Sequence, residues 1–276
     1  MSSSSRVVII TGCSSGIGAA SARAFHAAGW ITVATARRVE TLDALAASGC
    51  EVETLDVTSE EDRRRVVAAV LARHGRVDAL VNNAGYPEYG PFEEISLERW
   101  RAQFETNVFG LVAMSQLVIP IMREQHAGRI INISSIGGII TLPLGAPYHA
   151  SKWAVEALSD VARFELKPFG IDVVIIEPGV TLTNFETPAQ SGLVLDESSP
   201  YNALATKFSV MLSSNYSKKN VTNVTAEKIA AVIVRSARAR WPRARYVVPA
   251  SSRALIWSRP LMPDRLYDLI QGLVLR

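Results

Sequence analysis

The chain has few of the residues that mark disulfide-stabilised, metal-binding or membrane-spanning proteins. Its 276 residues include only two cysteines, Cys13 and Cys50, and four histidines. Two cysteines so far apart provide neither a disulfide framework nor metal-ligand spacing, and the histidines provide no such spacing either. No signal sequence opens the chain, and no run of eighteen apolar residues could span a bilayer. We therefore expect no metal site, and a soluble protein in a reducing, cytoplasmic compartment.

The chain also lacks a large excess of charge, because its formal net charge is only +3. Five arginines nevertheless cluster near its end: Arg235, Arg238, Arg240, Arg243 and Arg245. A basic patch is one signature of nucleic-acid binding. These arginines, however, fall at the predicted C-terminus of a helix and in the following loop, where cations stabilise the helix dipole. We therefore expect no nucleic-acid partner.

Short apolar, β-branched runs alternate with stretches of helical periodicity. The strand-like runs are 7–11, 31–35, 51–56, 77–82, 129–134, 171–177 and 245–249. Such alternation is typical of a parallel sheet covered by helices on both faces. The apolar content is 48% and the composition does not change along the chain, which predicts one domain over residues 1–276. The predicted fold class is α/β, a doubly wound parallel sheet in a three-layer αβα arrangement, which binds ligands at the carboxyl ends of its strands.

A glycine-rich turn follows the first strand directly, with the sequence Thr11-Gly12-Cys13-Ser14-Ser15-Gly16-Ile17-Gly18. Helical periodicity resumes after it, and the free N–H groups at a helix start attract pyrophosphate. We expect Gly12 to allow the turn, Gly16 to let the backbone approach phosphates, and Gly18 to let the helix pack close to the sheet. The glycines are spaced four and then two apart, unlike the more common fingerprint of two and then three.

Tyr148 and Lys152 are four residues apart in a predicted helix, so both side chains can point into one cleft. A neighbouring ammonium group favours phenolate. Lowering a phenol pKa from about 10 to about 7 requires roughly 4 kcal/mol, which a buried ammonium and an oxidised nicotinamide could supply together. Tyr148 would then act as a general acid or base at neutral pH. The spacing alone is weak evidence, since it also occurs on solvated helix faces.

Several motifs in order make the sequence similar to the short-chain dehydrogenase/reductase family in its compact form. They are the turn Thr-Gly-x-x-x-Gly-Ile-Gly, Asn82-Asn83-Ala84-Gly85, Ser135, Tyr148, Lys152 and Pro178-Gly179. The resemblance covers residues 7 to about 250, and the overall style of the sequence is similar to hydroxysteroid and retinol dehydrogenase-like members. It implies a Rossmann-type fold and an NADP(H)-dependent oxidoreductase that interconverts a carbonyl and its alcohol by hydride transfer.

The resemblance also implies a catalytic tetrad of Asn107, Ser135, Tyr148 and Lys152. The family serine binds the substrate oxygen, the lysine holds the nicotinamide ribose and lowers the tyrosine pKa, and the asparagine holds a water that links the lysine to solvent. Successive strand residues face opposite ways, so only one of Ser134 and Ser135 can reach the cleft, and the spacing to the tyrosine favours Ser135. A purely structural role for Asn107 remains the alternative. His149 is expected to point away from the catalytic face and to be structural.

The end of the second strand favours NADP(H) over NAD(H). An acidic residue there would bind the adenosine ribose hydroxyls and repel a 2′-phosphate. Ala36 stands at this point instead, and Arg37 follows it, with Arg38 as a second cation. A guanidinium can form a bidentate contact with phosphate. We therefore expect Arg37, assisted by Arg38, to bind the 2′-phosphate.

The remaining cofactor contacts are implied by the family pattern. We expect them at Ser14, Ser15, Ile17, Asp56, Val57, Asn83, Ala84, Gly85, Pro178, Gly179, Val180 and Thr183. Ser14 or Ser15 would add a hydroxyl to the phosphate site, and Thr183 would bind the nicotinamide carboxamide. Asp56 has an alternative role near a helix cap in the stretch after Thr58.

Residues 182–224 form a stretch of roughly forty residues without a clear long helix, which is typical of a lid or binding loop. Apolar residues are frequent in it: Phe185, Leu193, Val194, Leu195, Tyr201, Leu204, Phe208, Met211 and Leu212. With Ile136, Leu142 and Leu144, they predict a roof over an apolar carbonyl or alcohol. The alternative is that they only bury one another.

The tail, residues 253–276, is predicted to be helical from Pro263, with an apolar stripe of Leu266, Leu269, Ile270 and Leu273. We expect the protein body or a partner subunit to cover this stripe. A membrane surface is the alternative, because Trp257 and Arg259, Arg265 and Arg276 flank it.

The family pattern further implies a homodimer or homotetramer formed through residues 98–125 and 146–168. The residues expected at that surface are Leu111, Met114, Leu117, Val118 and Ile121. A catalytically inactive NADP(H)-binding regulatory or interaction protein is the alternative function. Such a protein would tend to lose the tyrosine or the lysine, and this chain has both.

Overall fold

The computed structural model describes residues 5–182, 193, 196–217 and 224–274. Seven parallel strands form the central sheet, in the order β3-β2-β1-β4-β5-β6-β9. They are β1 (Val7–Ile10), β2 (Ile31–Ala36), β3 (Glu51–Thr54), β4 (Ala79–Asn82), β5 (Gly128–Ile133), β6 (Ile171–Pro178) and β9 (Arg245–Val248). The sequence prediction of each strand is confirmed to within a few residues at its ends.

Helices cover both faces of the sheet. They are α1 (Gly16–Ala27), α2 (Asp43–Ala47), α3 (Glu60–His74), α4 (Leu97–Phe104), α5 (Gly110–Glu124), α6 (Ala146–Leu166), α7 (Asn202–Ser217), α8 (Ala226–Arg238), α9 (Ser252–Ser258) and α10 (Asp264–Val274). A π-helical turn, Glu105–Phe109, joins α4 to α5. Val8 and Ile10 pack against one helical layer, whereas Val7 and Ile9 pack against the other. The three-layer αβα prediction is therefore confirmed.

The chain reverses its direction of winding between β1 and β4. Strand β1 pairs with β2 on one side and with β4 on the other. The connections from these two carboxyl ends diverge, which leaves a crevice where doubly wound folds bind ligands. The glycine-rich turn and the segment that begins at Asn83 both lie at this crevice.

The lid differs from its prediction. It contains a sixteen-residue helix, α7, rather than only irregular chain. Two short parallel strands, β7 (Thr181–Leu182) and β8 (Val224–Thr225), pair where the lid leaves and rejoins the body. Helix α7 was missed because its apolar residues do not form one clear stripe. Thr183, Phe185, Val194 and Leu195 lie outside the described residues.

One helical run in the described part of the chain, Leu97–Glu124, is long and apolar enough to cross a membrane by length and composition alone. One side of it packs in the core, because Met114, Val118 and Met122 are fully buried against the sheet. A core helix passes the same test, so length and composition do not identify a membrane span here.

The predicted subunit surface was partly wrong. Met114 and Val118 are fully buried within one chain and cannot contact a partner. Exposed apolar side chains do occupy the outer side of α6, where Trp153 is 47%, Val161 56% and Phe164 84% exposed. The helix boundaries were predicted well, but the sequence did not reveal which side faces the sheet.

The tail is helical, as predicted, but the described part of the chain does not cover its stripe. Leu266, Leu269 and Leu273 are each about half exposed. Helix α10 contacts the body through its polar side instead. Tyr267 and Gln271 each donate a hydrogen bond to the carbonyl oxygen of Thr141, both at 2.6 Å.

Candidate active site

A cavity of about 940 Å³ occupies the carboxyl ends of the strands. It begins at the glycine-rich turn and Arg37, passes Tyr148 and Lys152, and extends to the lid and to Leu255 of α9. All but three of the predicted site residues that the structure describes line it. The exceptions are Gly18, Arg38 and Asn107. Gly18 and Asn107 contact residues that do line the cavity, namely Gly12 and Tyr86.

The glycine turn has the backbone that the sequence predicts. Gly12 has a φ of +72°, which disfavours any residue with a side chain. A Cβ atom on Gly18 would lie 2.2 Å from the carbonyl oxygen of Gly12, so only glycine allows α1 to begin this close to the turn. Asn83 fixes the turn to β4, because its Nδ2 donates to the carbonyl oxygens of Thr11 and Gly12, each at 2.9 Å.

The N-terminus of α1 opens into the cavity. Ser14, Ser15, Gly16 and Ile17 line this part of it. Ser15 occupies the N-cap position but its side chain forms no capping hydrogen bond, and the first turn contains no acidic residue. The first N–H groups and the positive end of the helix dipole are therefore available to an anion.

Arg37 is the free cation at the far end of the cavity. It is exposed and forms no hydrogen bond or ion pair within the described residues. The neighbouring Ala36 is buried, and Asp56 and Val57 complete this end. Asp56 also supports its own loop, since Oδ1 accepts hydrogen bonds from the Thr58 N–H and hydroxyl. The N-cap of α3 is Ser59 and not Asp56, and an adenine contact of Asp56 stays a prediction. Arg38 is exposed and does not line the cavity.

Tyr148 and Lys152 lie on one face of α6, as the spacing predicts. Both are buried, and both line the cavity. The ammonium nitrogen of Lys152 lies 5.9 Å from the centroid of the Tyr148 ring. It donates a hydrogen bond to the carbonyl oxygen of Ile133 at 2.9 Å, which fixes the lysine beside β5.

Burial dominates the pKa of Tyr148. It raises the pKa of this phenol above its ordinary value, and the nearby Ser135 only partly offsets the rise. Burial also lowers the pKa of Lys152 to about 8, while Glu156 opposes this change. The lowered phenol pKa expected from the sequence depends on the oxidised nicotinamide as well as on Lys152, and it stays a prediction.

Ser135 and Ser134 point to different surroundings. Ser135 lies beside Tyr148 and lines the cavity, and its Oγ accepts a hydrogen bond from the Gly137 N–H at 3.0 Å. Ser134 is 3% exposed and faces Glu156 on α6. Strand alternation therefore brings Ser135 rather than Ser134 to the phenol, in line with the spacing argument.

Asn107 lies in the π-helical turn and joins three elements. Its Oδ1 accepts from the Tyr86 N–H at 3.1 Å, and its Nδ2 donates to the Tyr86 carbonyl at 3.0 Å and the Ser151 hydroxyl at 3.1 Å. A Cβ atom on Gly85 would lie 3.0 Å from Asn107 Oδ1 and 3.8 Å from Lys152 Nζ. The side chain thus has the structural role that was the alternative, while it lies next to the lysine.

The expected orientation of His149 was wrong, because this residue lines the cavity and its ring centroid lies 5.6 Å from that of Tyr148. Its hydrogen bonds are nevertheless structural, and its tautomer follows from them. Nε2 accepts a hydrogen bond from the Leu142 N–H at 3.0 Å, so Nδ1 carries the proton and donates to the Gly137 carbonyl at 2.9 Å. Burial lowers the pKa of this imidazole, which keeps it neutral. His149 therefore holds the loop that carries Ser135 against α6.

Sequence analysis missed Tyr89, which follows the Asn-Asn-Ala-Gly motif. Its ring lies 6.2 Å from the Tyr148 ring and 5.3 Å from that of Phe208 on α7, centroid to centroid. It thus connects the catalytic helix to the lid. An aromatic residue shortly after the carboxyl end of a strand could have indicated a position at the site. The neighbouring Asn-Asn-Ala-Gly motif was interpreted instead.

The lid packs over the loop after β5. Leu193 and Phe208 are buried against Leu144, and Leu204, Met211 and Leu212 pack around them. Met211 and Leu212 also line the cavity, together with Leu142. Some apolar residues of the lid therefore bury one another and others face the cavity, while a roof over an apolar substrate stays a prediction.

The fold and site define a nucleotide-dependent enzyme, and comparison with known proteins identifies its family. Residues 6–193 match the family model described as short chain dehydrogenase. The protein belongs to the short-chain dehydrogenase/reductase family and is an oxidoreductase of that family.

Three similar proteins illustrate the family relationship. A short-chain dehydrogenase structure from Streptomyces avermitilis is 36% identical with a TM-score of 0.81, covering 94% of this chain and 93% of that one. A metagenomic short-chain oxidoreductase in complex with NADP is 29% identical with a TM-score of 0.69, covering 88% and 96%. The NADPH-dependent 3-dehydrocapnine reductase of Ornithobacterium rhinotracheale is 31% identical, covering 96% of this chain and 95% of its own.

Proposed function

We propose that the protein is an NADP(H)-dependent oxidoreductase that interconverts an apolar ketone or aldehyde and its alcohol. The observation that carries this proposal is the continuous cavity, which places Tyr148, Lys152 and Ser135 between an anion site and an apolar lid. A nicotinamide cofactor supplies the hydride when it is bound. The protein must then orient the carbonyl, polarise its oxygen and deliver a proton.

Each of these tasks has a residue in the cavity. The Ser135 hydroxyl donates to the substrate oxygen and so polarises the carbonyl. The Tyr148 phenol, beside Ser135, donates its proton to the same oxygen as the alcohol forms. Lys152 stabilises the resulting phenolate by its charge and binds the nicotinamide ribose. Asn107 holds Tyr86 and Ser151 in place around the lysine.

The residues of the groove fit NADP(H) better than NAD(H). The free N-terminus of α1 can receive the pyrophosphate, and Gly85, Pro178, Gly179 and Val180 line the path towards Tyr148. Arg37 has no partner within the described residues, and no carboxylate replaces Ala36 to bind ribose hydroxyls. The NADPH dependence in the name of the 3-dehydrocapnine reductase and the NADP bound to the metagenomic oxidoreductase support this preference.

The cavity beyond Tyr148 fits an apolar substrate. Ile136, Ile140, Leu142, Met211, Leu212 and Leu255 line it. Glu88 and Arg99 also line the cavity, and they form an ion pair with each other. An apolar carbonyl therefore loses less hydration-related free energy here than a sugar or an acid would.

A substrate screen tests the proposal. Purified protein is mixed with ketones and aldehydes of increasing chain length and NADPH, and the loss of nicotinamide absorbance is followed. We expect turnover with NADPH, with kcat/KM rising with the apolar surface of the substrate. Binding of NADPH without turnover of any carbonyl or alcohol would instead favour the regulatory alternative.

We also propose a homodimer or homotetramer formed through the outer side of α6. Phe164 is 84% exposed, and Trp153 and Val161 extend the same apolar surface. Light scattering at micromolar concentration should give a mass of two or four chains, and Phe164→Asp should reduce it. A monomer in the unsubstituted protein contradicts this proposal.

A further inference from the structure

A cluster of three carboxyl groups surrounds one arginine beyond Lys152. Glu156 and Asp160 follow Lys152 on α6 by one and two turns, and Glu177 lies on β6. Arg245 Nε of β9 lies 3.0 Å from Glu156 Oε2 and 3.6 Å from Glu177 Oε1, and its Nη2 lies 2.8 Å from Asp160 Oδ2. The proposed catalytic chemistry uses none of these four residues.

Two of the carboxyl groups are removed from solvent and share one arginine. Glu156 is 5% and Glu177 1% exposed. Glu177 Oε1 lies 3.6 Å from Arg245 Nε, and Ser134 lies against the Glu156 carboxyl group. Two buried carboxyl groups this close to each other disfavour a second negative charge, so one proton between them stabilises the cluster.

The cluster adjoins the backbone of the lysine. A Cβ atom on Gly138 would lie 2.9 Å from Ser134 Oγ, 3.0 Å from Glu156 Cγ and 3.1 Å from the Lys152 carbonyl oxygen. Glu156 thus packs directly behind the turn that carries Lys152. Only glycine leaves room for this contact.

Charged groups from several elements surround the cluster. The carboxyl groups are Glu156, Asp160 and Glu177. The cations near them are Arg245, Arg163, which pairs with Asp160, and Lys152. Arg243 and Arg253 line a cavity together with Glu177 and Arg245. Burial and the nearby Glu156 raise the pKa of Glu177 to about 7, and burial lowers that of Lys152 to about 8. A change in the charge of this cluster therefore acts on a lysine that is close to its own titration.

A second cavity, of about 650 Å³, gives the cluster its own access to solvent. Glu177 and Arg245 line it, and it does not share these residues with the catalytic cavity. Arg243 and Arg253 also face it, beside Trp257. Protons can therefore reach Glu177 from solvent without passing through the substrate cavity.

We propose that Glu156 and Glu177 are positioning residues that share one exchangeable proton around Arg245, and that this proton sets the charge of Lys152. When the proton leaves to water in the second cavity, the added negative charge holds Lys152 as an ammonium. When the proton returns, this negative charge is lost and the ammonium form of Lys152 is less stable. The inference rests on the proposed role of Lys152 in the reaction.

A direct measurement of the Lys152 pKa tests the electrostatic part. Protein labelled with ¹³C and ¹⁵N in lysine is titrated by NMR without cofactor, and Lys152→Arg identifies the signal. Glu156→Gln should lower the Lys152 pKa by roughly 1 unit or more, because it removes an opposite charge within a turn. Glu177→Gln should lower it less. The control Asp172→Asn removes a carboxylate at the other end of β6, paired with Arg129, and should not change it.

The pH dependence of unfolding tests whether Glu177 holds the proton. A carboxyl with a pKa raised to about 7 in the folded state binds more protons than the unfolded chain between its ordinary pKa and about 7. Its contribution to the free energy of unfolding therefore falls as pH rises through this window. Glu177→Gln should remove this decline in denaturant titrations, whereas Asp172→Asn should retain it. If the free energy of unfolding still declines with pH in Glu177→Gln, the two glutamates do not share a proton.

Activity measurements separate this inference from the proposed function. The pH at which turnover falls on the alkaline side should move lower in both glutamine variants, while turnover near pH 6 changes little. If the Lys152 pKa falls in both variants but no carbonyl is reduced, the coupling is supported and the proposed function fails. If carbonyls are reduced and the Lys152 pKa is unchanged in both variants, the coupling is overturned and the function stands.

Discussion

The two ends of the active-site cavity are built differently. At the nucleotide end, backbone turns and polar contacts fix the geometry, as in the double hydrogen bond from Asn83 to the glycine turn. At the lid end, apolar packing fixes it, as in the contact between Phe208 and Tyr89. Few substitutions are tolerated at each position of the nucleotide end, whereas positions in the lid tolerate many apolar residues of similar volume. One end therefore suits a constant ligand, and the other can vary with the substrate.

The catalytic helix α6 lies between the two ends of the cavity. On this helix, Tyr148→Phe is expected to change turnover most. Because the phenol is the proposed proton donor, turnover should fall by roughly 10²- to 10⁴-fold while NADPH affinity changes little. Single-turnover kinetics with a slow substrate measure the chemical step. Retention of more than about a tenth of the unsubstituted rate would remove Tyr148 from this role.

Matched core substitutions sharpen the comparison. Phe25 in the sheet core and Phe208 in the lid are both fully buried. Phe25→Ala should lower the free energy of unfolding by about 3 to 5 kcal/mol. Phe208→Ala should lower it less, because the lid cluster is small and can open locally, and should raise the substrate KM instead. Denaturant titrations and kinetics with an apolar ketone measure these effects.

Equal losses of stability in these two variants would show that the lid unfolds together with the sheet. That outcome would contradict the separation between a rigid nucleotide end and an adaptable substrate end. Cofactor affinity is the internal control, since Phe208→Ala should leave NADPH binding close to that of the unsubstituted protein.

Arg37→Ala tests the nucleotide end. It removes a charge-assisted contact to the 2′-phosphate and should cost roughly 1.5 to 3 kcal/mol of NADPH binding, with little effect on NADH. Fluorescence titration measures both affinities. Arg38→Ala is the matched control, because Arg38 lies away from the cavity and should have a smaller effect. Equal losses for both cofactors in Arg37→Ala would overturn the explanation.

The comparison also explains which parts could be predicted from the sequence. The roles of Gly12 and Gly18 could be predicted because only glycine fits at each position. Gly12 has a positive φ, and Gly18 lies too close to the Gly12 backbone for a side chain. The sheet followed from its apolar runs. Helix α7 and the contact made by Tyr89 were not predictable, since they depend on which apolar surfaces meet in space. The buried faces of Met114 and Val118 were misassigned for the same reason.

The pKa of Tyr148 was beyond sequence reasoning for a different cause. Spacing correctly placed a cation on the same helix face, but it carries no information on burial. Burial raises the phenol pKa in the folded protein, and the carbonyl oxygen of Ile133 accepts a hydrogen bond from the ammonium nitrogen. A helical pattern gives proximity, and the solvent exposure that decides the pKa comes only from the assembled layers.

Truncation after Ser252 has the smallest expected effect on turnover, and it tests the outermost part of the substrate end. It removes Leu255 from the cavity and the hydrogen bonds that join Tyr267 and Gln271 to Thr141, next to the cavity residue Leu142. It also removes Ile256, whose side chain is buried. The free energy of unfolding should therefore fall by roughly 2 to 4 kcal/mol, more than the loss of surface hydrogen bonds alone would give. The preference among apolar substrates should broaden, because one wall of the cavity is lost. Kinetics without lipid present measure this change, and NADPH affinity should stay constant.

The outward apolar stripe of Leu266, Leu269 and Leu273 allows a different role for the tail. If the truncated protein keeps the original substrate preference in solution but no longer co-sediments with anionic vesicles that retain the full chain, the tail serves a membrane surface and not the cavity.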